Sequence, residues 1–135
     1  MPAKDASKAA TPQLSYERDD DFIARYANNI HLESSGWDLK ITFGVLDQRD
    51  LAKPVIEQHT SINMAWSQVK IMLYFMQMHL RLQEEENGKI KIPESGLPLE
   101  LPAEVPKEFD NPQGRRAFQI MREMRADFIA KLNEP

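Results

Sequence analysis

The chain has 135 residues, a formal net charge of −4 and 41% hydrophobic residues, which is enough for one domain with a core of its own. The negative charge argues against nonspecific nucleic-acid binding, and no stretch reaches the roughly 18 uninterrupted apolar residues of a membrane span. The absence of cysteine excludes disulfides, thiolate zinc sites and cysteine nucleophiles. The first residues contain no apolar run typical of a secretory signal, so the expected location is cytoplasmic.

Residues 1–21 are predicted to form a flexible tail. They are rich in Ala, Ser, Lys, Asp and Thr and end in the acidic run Asp19-Asp20-Asp21. Such a composition buries too little apolar surface to offset the entropy cost of ordering. The rest of the chain is predicted to comprise a core domain over residues 22–92, a Pro-rich connector over 93–111 and a C-terminal amphipathic helix over 112–133.

Three segments of the core domain alternate apolar and polar side chains with the period of two that is typical of half-buried strands. They run from Ala24 to Glu33, from Asp38 to Val45 and from Val55 to Met64. The intervening Ser34-Ser35-Gly36 favours a tight turn, so the first two strands are predicted to form an antiparallel hairpin. The third segment fits the alternation less well, because Gln58 falls among its apolar positions.

Residues 65–87 are predicted to form one long helix, since they contain no Gly or Pro, consist mainly of good helix formers and are followed by Gly88. At 100° per residue the apolar side chains cover about 220° of the circumference, whereas a helix lying on a core needs only about 100°. The remaining stripe carries Lys70, Tyr74, Gln77, Arg81 and Glu84. This excess of apolar surface indicates that the helix has one face for its own chain and another for a partner.

The segment after this helix carries five of the nine prolines between residues 93 and 112, which predicts an extended, non-helical connector. Asn111-Pro112 is typical of a helix start, with an N-cap followed by a first-turn proline. In the helix that follows, Ala117, Met121, Met124, Phe128 and Leu132 form the predicted apolar stripe, which Phe118 and Ile129 widen. The pattern leaves open whether this helix packs on its own chain or on a neighbouring one.

These elements predict an α+β fold, in which a three-stranded antiparallel sheet packs on the long helix and the C-terminal helix is peripheral. The run Tyr26-Ala27-Asn28, the hairpin carrying Phe43-Gly44 and the helix end Glu86-Asn87-Gly88 resemble the domain of unknown function 3467, a family of small bacterial proteins. The likeness covers about residues 22–92. It departs at the helix start, where Met64-Ala65-Trp66-Ser67 replaces the Pro and Lys common in that family. The family carries no established activity, so the resemblance implies a fold and no catalytic residue.

The first strand, Arg25 to Glu33, and the order of strands before helices also resemble the SecB-type export chaperones. Those chaperones have four strands and an acidic tail, whereas this sequence predicts three strands and a Pro-rich connector. The resemblance implies an alternative function in binding extended peptides.

No catalytic, cofactor or metal site is predicted. The histidines, His31, His59 and His79, have no metal-ligand spacing, and the chain lacks a glycine-rich phosphate loop or a nucleophile motif. An enzyme of unrecognised type is an alternative that requires a polar pocket. Such a pocket would contain at least two of His31, His59, Asp38 and Glu57.

Two surfaces are predicted to make contacts. The oligomer interface on the long helix comprises Ile71, Met72, Phe75, Met78, His79 and Leu82. His79 is predicted to hydrogen-bond across a two-fold axis. The acidic helix end, Glu84 to Glu86, is predicted to be solvated or to meet a basic partner such as Arg115 and Arg116. A possible partner surface comprises Trp37, Trp66, Phe118, Met121 and Phe128.

The sequence therefore favours a non-enzymatic, homo-oligomeric interaction or scaffold protein, most simply a dimer through the 65–87 helix. A chaperone-like peptide binder and an enzyme of unrecognised type are the alternatives. Self-association, another protein or an extended peptide are the expected partners. The arginines of the C-terminal helix alternate with acids, which argues against a positive nucleic-acid-binding field.

Overall fold

The computed structural model describes residues 11–135, and this part of the chain divides into two compact units with the boundary between Met72 and Leu73. The first ten residues of the predicted tail lie outside the described part. The regular elements are three strands, β1 (Asn29–Ser34), β2 (Asp38–Asp47) and β3 (Val55–Ala65), and two helices, α1 (Trp66–Asn87) and α2 (Pro112–Leu132). Short 3₁₀ turns lie at Glu94–Gly96 and Lys107–Phe109.

The predicted α+β fold is confirmed: the three strands form one antiparallel sheet in the order β1-β2-β3, followed by the long helix and the C-terminal helix. In the register, Ile41 of the central strand lies between Leu32 of β1 and Ile62 of β3. Because side chains alternate along a strand and directly paired residues share a face, the odd-numbered residues of β2 up to Val45 define an apolar face and the even-numbered ones up to Gly44 a polar face. On the polar face Lys40 Nζ lies 3.5 Å from a carboxylate oxygen of Glu33.

The first strand begins at Asn29, five residues later than the predicted Ala24. The side chain of Asn28 explains the difference. The Asn28 amide donates to the carbonyl of Gly44 at 3.1 Å, but its side-chain oxygen accepts the amide of Leu46 at 2.7 Å. This side chain takes the place of the backbone acceptor that a continuing strand would provide, and the ladder ends there.

A β-bulge in β3 explains why the third segment fits the alternation poorly. Phe43 pairs with Thr60 but Gly44 pairs with Gln58, so His59 is an extra residue on this strand. Because side chains alternate between the two faces of a sheet, one extra residue moves every residue before it to the opposite face. Ile56 and Gln58 therefore lie on the polar face, whereas the sequence grouped them with Ile62 on the apolar one.

The bulge is held by the side chain of its extra residue and by the close approach of a glycine. His59 Nε2 donates to the carbonyl of Tyr26 at 2.9 Å, and His59 Nδ1 lies 2.7 Å from the hydroxyl of Thr60. A Cβ at Gly44 would lie 2.7 Å from the Glu57 carbonyl oxygen. The central strand therefore needs glycine at this position to pair with the bulged neighbour.

Gly44→Ala is expected to destabilise the sheet by about 1–3 kcal/mol, the usual cost of inserting a methyl group into a closely packed site. The matched control is Gly36→Ala in the hairpin turn, where an added Cβ meets no atom within 4 Å and the change should stay within about 0.5 kcal/mol. Urea unfolding of the two variants compares these free energies. Equal stability of the two variants would contradict the close approach at Gly44.

In the second unit, α1 ends at a glycine with a left-handed backbone. Gly88 has a φ of 86°, and its amide donates to the carbonyl of Glu84 at 2.9 Å. The Glu84 carboxylate then accepts the amide of Ile90 at 3.0 Å. The acidic helix end therefore stabilises the turn that follows it. Arg115, which the sequence analysis names as a possible partner of this helix end, instead pairs with the Asp110 carboxylate at 2.7 Å.

The Pro-rich connector packs along α2 of its own chain. Arg125 Nε donates to the carbonyl of Pro98 at 3.0 Å, and Arg122 Nη2 donates to the carbonyls of Pro102 and Ala103 at 2.7 and 3.0 Å. A proline-rich segment forms no helix or ladder, so its carbonyls need donors from elsewhere. The guanidinium groups supply these donors.

The partly buried face of α2 includes one edge of the predicted apolar stripe. Phe118, Ile129 and Leu132 of the predicted stripe are partly buried, as is Arg125. Met121, Met124 and Phe128 of the stripe are instead exposed.

Candidate interaction surface

The apolar face of the sheet is covered only at its centre. Its members, here called the sheet apolar face, are Ile30, Leu32, Leu39, Ile41, Phe43, Ile62 and Met64. Leu39 and Ile41 on the central strand are the buried hydrophobic residues of the described chain, at 8% and 5% exposure. Ile30, Leu32 and Ile62 on the outer strands remain about half exposed. A face of this kind is normally covered by a helix or a second sheet.

The long helix is apolar and uncovered. The sequence predicts that one of its faces is buried by its own chain, but no residue of α1 is buried. Nine of its large apolar and aromatic side chains are between 38% and 63% exposed: Trp66, Ile71, Leu73, Tyr74, Phe75, Met76, Met78, Leu80 and Leu82. Exposed apolar side chains grouped this closely are typical of interaction sites.

The predicted oligomer-interface residues are accessible. Ile71, Phe75, Met78 and Leu82 are exposed, as is His79, and Met72 is partly buried. These positions follow the helical spacing that places them on one side of α1. Phe75 packs edge-on against the neighbouring Tyr74, with the ring centroids 5.2 Å apart.

The predicted partner surface, in contrast, is dispersed over separate elements. Trp37 lies at the tip of the hairpin and is 89% exposed, whereas the Trp66 indole donates to the carbonyl of Ser35 at 2.9 Å. On α2, Met121 and Phe128 are exposed. Phe118 packs against Phe109 with the ring centroids 6.1 Å apart. The two tryptophans belong to the first unit and the α2 residues to the second.

The hairpin turn beside Trp66 is built around one carboxylate. The Asp38 carboxylate accepts the hydroxyl of Ser35 at 2.7 Å and the side-chain amide of Asn63 at 3.1 Å. These hydrogen bonds stabilise the charged form, so they lower the pKa of Asp38 below its ordinary value of 3.8. Asn63 on β3 thus stabilises the hairpin turn through the Asp38 carboxylate.

Because the folded pKa of Asp38 lies below the unfolded value, its stabilising contribution is present above pH 3.8 and is lost as the pH falls through the folded pKa. Asp38→Asn keeps the shape of the side chain but does not titrate. The variant is expected to lose less stability than the parent protein between pH 5 and pH 3. Melting temperatures measured across this range test the difference, and parallel curves would contradict it.

The four groups named for a polar pocket are distributed along the sheet. Asp38 pairs with Ala65 at one end of β2, whereas Glu57 lies opposite Val45 towards the other end. His31 pairs with Thr42 on the polar face, and His59 is held in the bulge. Within residues 11–135, no three His, Asp or Glu side chains lie close enough together to hold a metal ion.

Two features of the structure were not predicted from the sequence. The first is the hydrogen bonding of Arg122 and Arg125 to carbonyls of the connector. The prolines are a signal for it, because a proline-rich segment has few backbone N–H donors and its carbonyls must accept from other groups. The second is the outer edge of β3, which pairs on one side with β2 and, among the described residues, with no strand on the other. Eleven residues of β3 thus present an edge to which an extended chain can add.

In the described part of the chain, no helix combines the length and apolar character that crossing a bilayer requires. Comparisons of the chain with family models, with curated proteins and with solved structures found no match. The resemblances to the domain of unknown function 3467 and to SecB-type chaperones therefore stay predictions, and the interaction surface is argued from this chain alone.

Proposed function

We propose that this protein is a non-enzymatic, homo-oligomeric interaction protein, most simply a dimer formed through α1. The observation that carries the proposal is the exposure of Ile71, Phe75, Met78 and Leu82 on one side of a helix in which no residue is buried. An apolar helical face in water favours association with another apolar surface.

The size of the exposed surface supports this proposal. Without Tyr74, which lies on the polar stripe, the other eight large side chains are each about half exposed and present roughly 800 Å² of α1 to solvent, which is about what each partner buries in a stable protein interface. The stripe that contains Lys70, Gln77 and Arg81 keeps part of the helix polar. The helix can therefore be covered on its apolar side while its charged groups remain in water.

Light scattering coupled to gel filtration at micromolar concentration tests the proposal. The expected mass is twice the 15.6 kDa of one chain, or a higher multiple of it. Dilution should shift the population towards the single chain if the association is reversible. A mass of 15.6 kDa at every concentration would refute the proposed function.

The uncovered edge of β3 favours a second candidate, a chaperone-like protein that binds extended apolar peptides. Such a peptide would add as a strand to β3, with backbone hydrogen bonds supplying affinity and the neighbouring apolar side chains selecting its residues. An unfolded, permanently reduced polypeptide labelled with a fluorophore is the suitable probe. Saturable binding together with suppressed aggregation would favour this candidate, whereas self-association without binding would favour the scaffold.

A further inference from the structure

We propose that in the assembled protein α1 of one copy covers the sheet apolar face of the other copy, and that the exchange is reciprocal. This inference rests on the proposed function, because it names the surface against which α1 packs in the oligomer. It differs from a simple helix-to-helix dimer, in which both sheets would keep their outer strands exposed.

The chain connection supports the exchange. β3 ends at Ala65 and α1 begins at Trp66, so no residue connects strand and helix. A helix that folds back over its own sheet normally follows a connection of about 2–6 residues. The Trp66 indole also donates a hydrogen bond to the carbonyl of Ser35 in the hairpin turn. This bond fixes the first helical residue at the end of the sheet where β1 and β2 are joined.

α1 is long enough to cover the sheet apolar face. The 22 residues of α1 span about 33 Å at 1.5 Å per residue, whereas the apolar part of β2, from Leu39 to Phe43, spans about 17 Å at 3.3 Å per residue. A helix of this length therefore spans the apolar part of the sheet with several residues to spare. The apolar arc of about 220° on α1 is wide enough for a sheet on one side and a second helix on the other.

The charges of both elements are compatible with this packing. On the sheet, Glu33, Asp38 and Lys40 lie on the polar face, whereas Asp47 and Glu57 share the side of the apolar residues but lie beyond Phe43, at the end of β2 away from Asp38. On α1, Lys70, Arg81 and Glu84 lie together on the polar stripe. Apposition of α1 on Leu39, Ile41 and Phe43 therefore buries no unpaired charge, which is the main cost that such an interface must avoid.

The exchange also accounts for both uncovered surfaces at once. Each copy would contribute roughly 800 Å² of α1, and a reciprocal interface would bury more than 2,000 Å² in total, the size typical of obligate homodimers. Leu32 and Ile62 on the outer strands would then become buried together with Ile71 and Met78 of the partner's helix.

Cross-linking tests the arrangement cleanly, because the natural chain contains no cysteine. Leu32→Cys chains and Met78→Cys chains, carrying different affinity tags, are co-expressed and treated with a short bis-maleimide. A second pair uses Ile71→Cys in place of Met78→Cys. The matched control pairs each helix variant with His31→Cys, which lies beside Leu32 but on the polar face of the sheet.

The expected result is a covalent heterodimer with Leu32→Cys for at least one helix variant and at least a tenfold lower yield with His31→Cys. Dimers linked only between two identical helix cysteines would overturn the exchange and leave the proposed function intact. A single-chain mass for the unmodified protein by light scattering would refute the proposed function itself. Equal yields with His31→Cys and Leu32→Cys would overturn the assignment to the sheet apolar face.

Discussion

The double substitution Phe75→Glu with Leu82→Glu is expected to convert the oligomer into single chains. The two positions are seven residues apart and lie on the same side of α1, and both side chains are about half exposed. Burying them in an interface contributes about 1 kcal/mol each, and an unpaired carboxylate in an apolar contact costs several kcal/mol more. A combined loss of about 4 kcal/mol or more raises the dissociation constant at least about 1,000-fold.

Gln77→Glu is the matched control for this experiment. It introduces the same side chain into the same helix, but on the polar stripe that the proposed interface leaves in water. Glutamate is a good helix former, so neither variant should lose α1 for reasons of propensity. Circular dichroism checks that helix content is retained, and sedimentation velocity measures the dissociation constants. Dissociation by Gln77→Glu but not by the double variant would place the interface on the other side of α1.

Much of the fold could be predicted because local patterns and final structure agree. Three local patterns each specify one element without help from distant residues: the period-two alternation of β2, the turn residues at 34–36 and the uninterrupted run of good helix formers up to Asn87. The start of α2 at Pro112 likewise follows from its N-cap, since the Asn111 side chain accepts the amide of Gly114 at 2.8 Å. These features depend on neighbours in sequence.

The features that could not be predicted depend on partners distant in sequence. Asn28 ends β1 by accepting the amide of Leu46, eighteen residues away, and the bulge at His59 becomes visible only when β3 is aligned with β2. Nothing in a single strand reveals an extra residue relative to its neighbour. For this reason the prediction that Ile56 and Gln58 lie on the apolar face of the sheet was wrong.

The candidate surface shows the same division. The excess of apolar residues on α1 is a property of the helix alone, so the sequence identifies Ile71, Phe75 and Leu82 without knowledge of the tertiary structure. The choice between an intramolecular and an intermolecular cover depends on the connection between β3 and α1. The sequence places this boundary within one residue of its observed position, but it does not reveal that no residue of α1 is buried, because burial depends on the tertiary structure.

Gly114→Ala is expected to have the largest effect on stability in the second unit. In an unconstrained helix, alanine in place of glycine gains about 1 kcal/mol. In α2, however, a Cβ at Gly114 would collide with the backbone carbonyl oxygen of Phe109, which belongs to the short turn before the helix. Since the Cβ and the carbonyl oxygen are both fixed directly to the backbone, no side-chain rotation relieves the clash.

The variant must therefore either lose helical structure at its N-terminus or release the turn at Lys107–Phe109. Release of the turn would separate Phe109 from Phe118 and weaken the end of the connector that packs on α2. We expect a net loss of about 2 kcal/mol or more, which lowers Tm by roughly 5–10 °C. Thermal unfolding followed by circular dichroism measures this change, and limited proteolysis should show faster cleavage between residues 98 and 110.

Gln113→Ala provides the control, because it puts alanine one residue earlier in the same helical turn, at an exposed position where the Cβ is already present. Its Tm should stay within about 2 °C of that of the parent protein. If Gly114→Ala were as stable as this control or more stable, helix propensity would outweigh the contact with Phe109, and the turn would not be packed against the start of α2. If only proteolysis increased while Tm stayed constant, the connector would be released without unfolding α2, which would separate the stability of the helix from that of its Pro-rich partner.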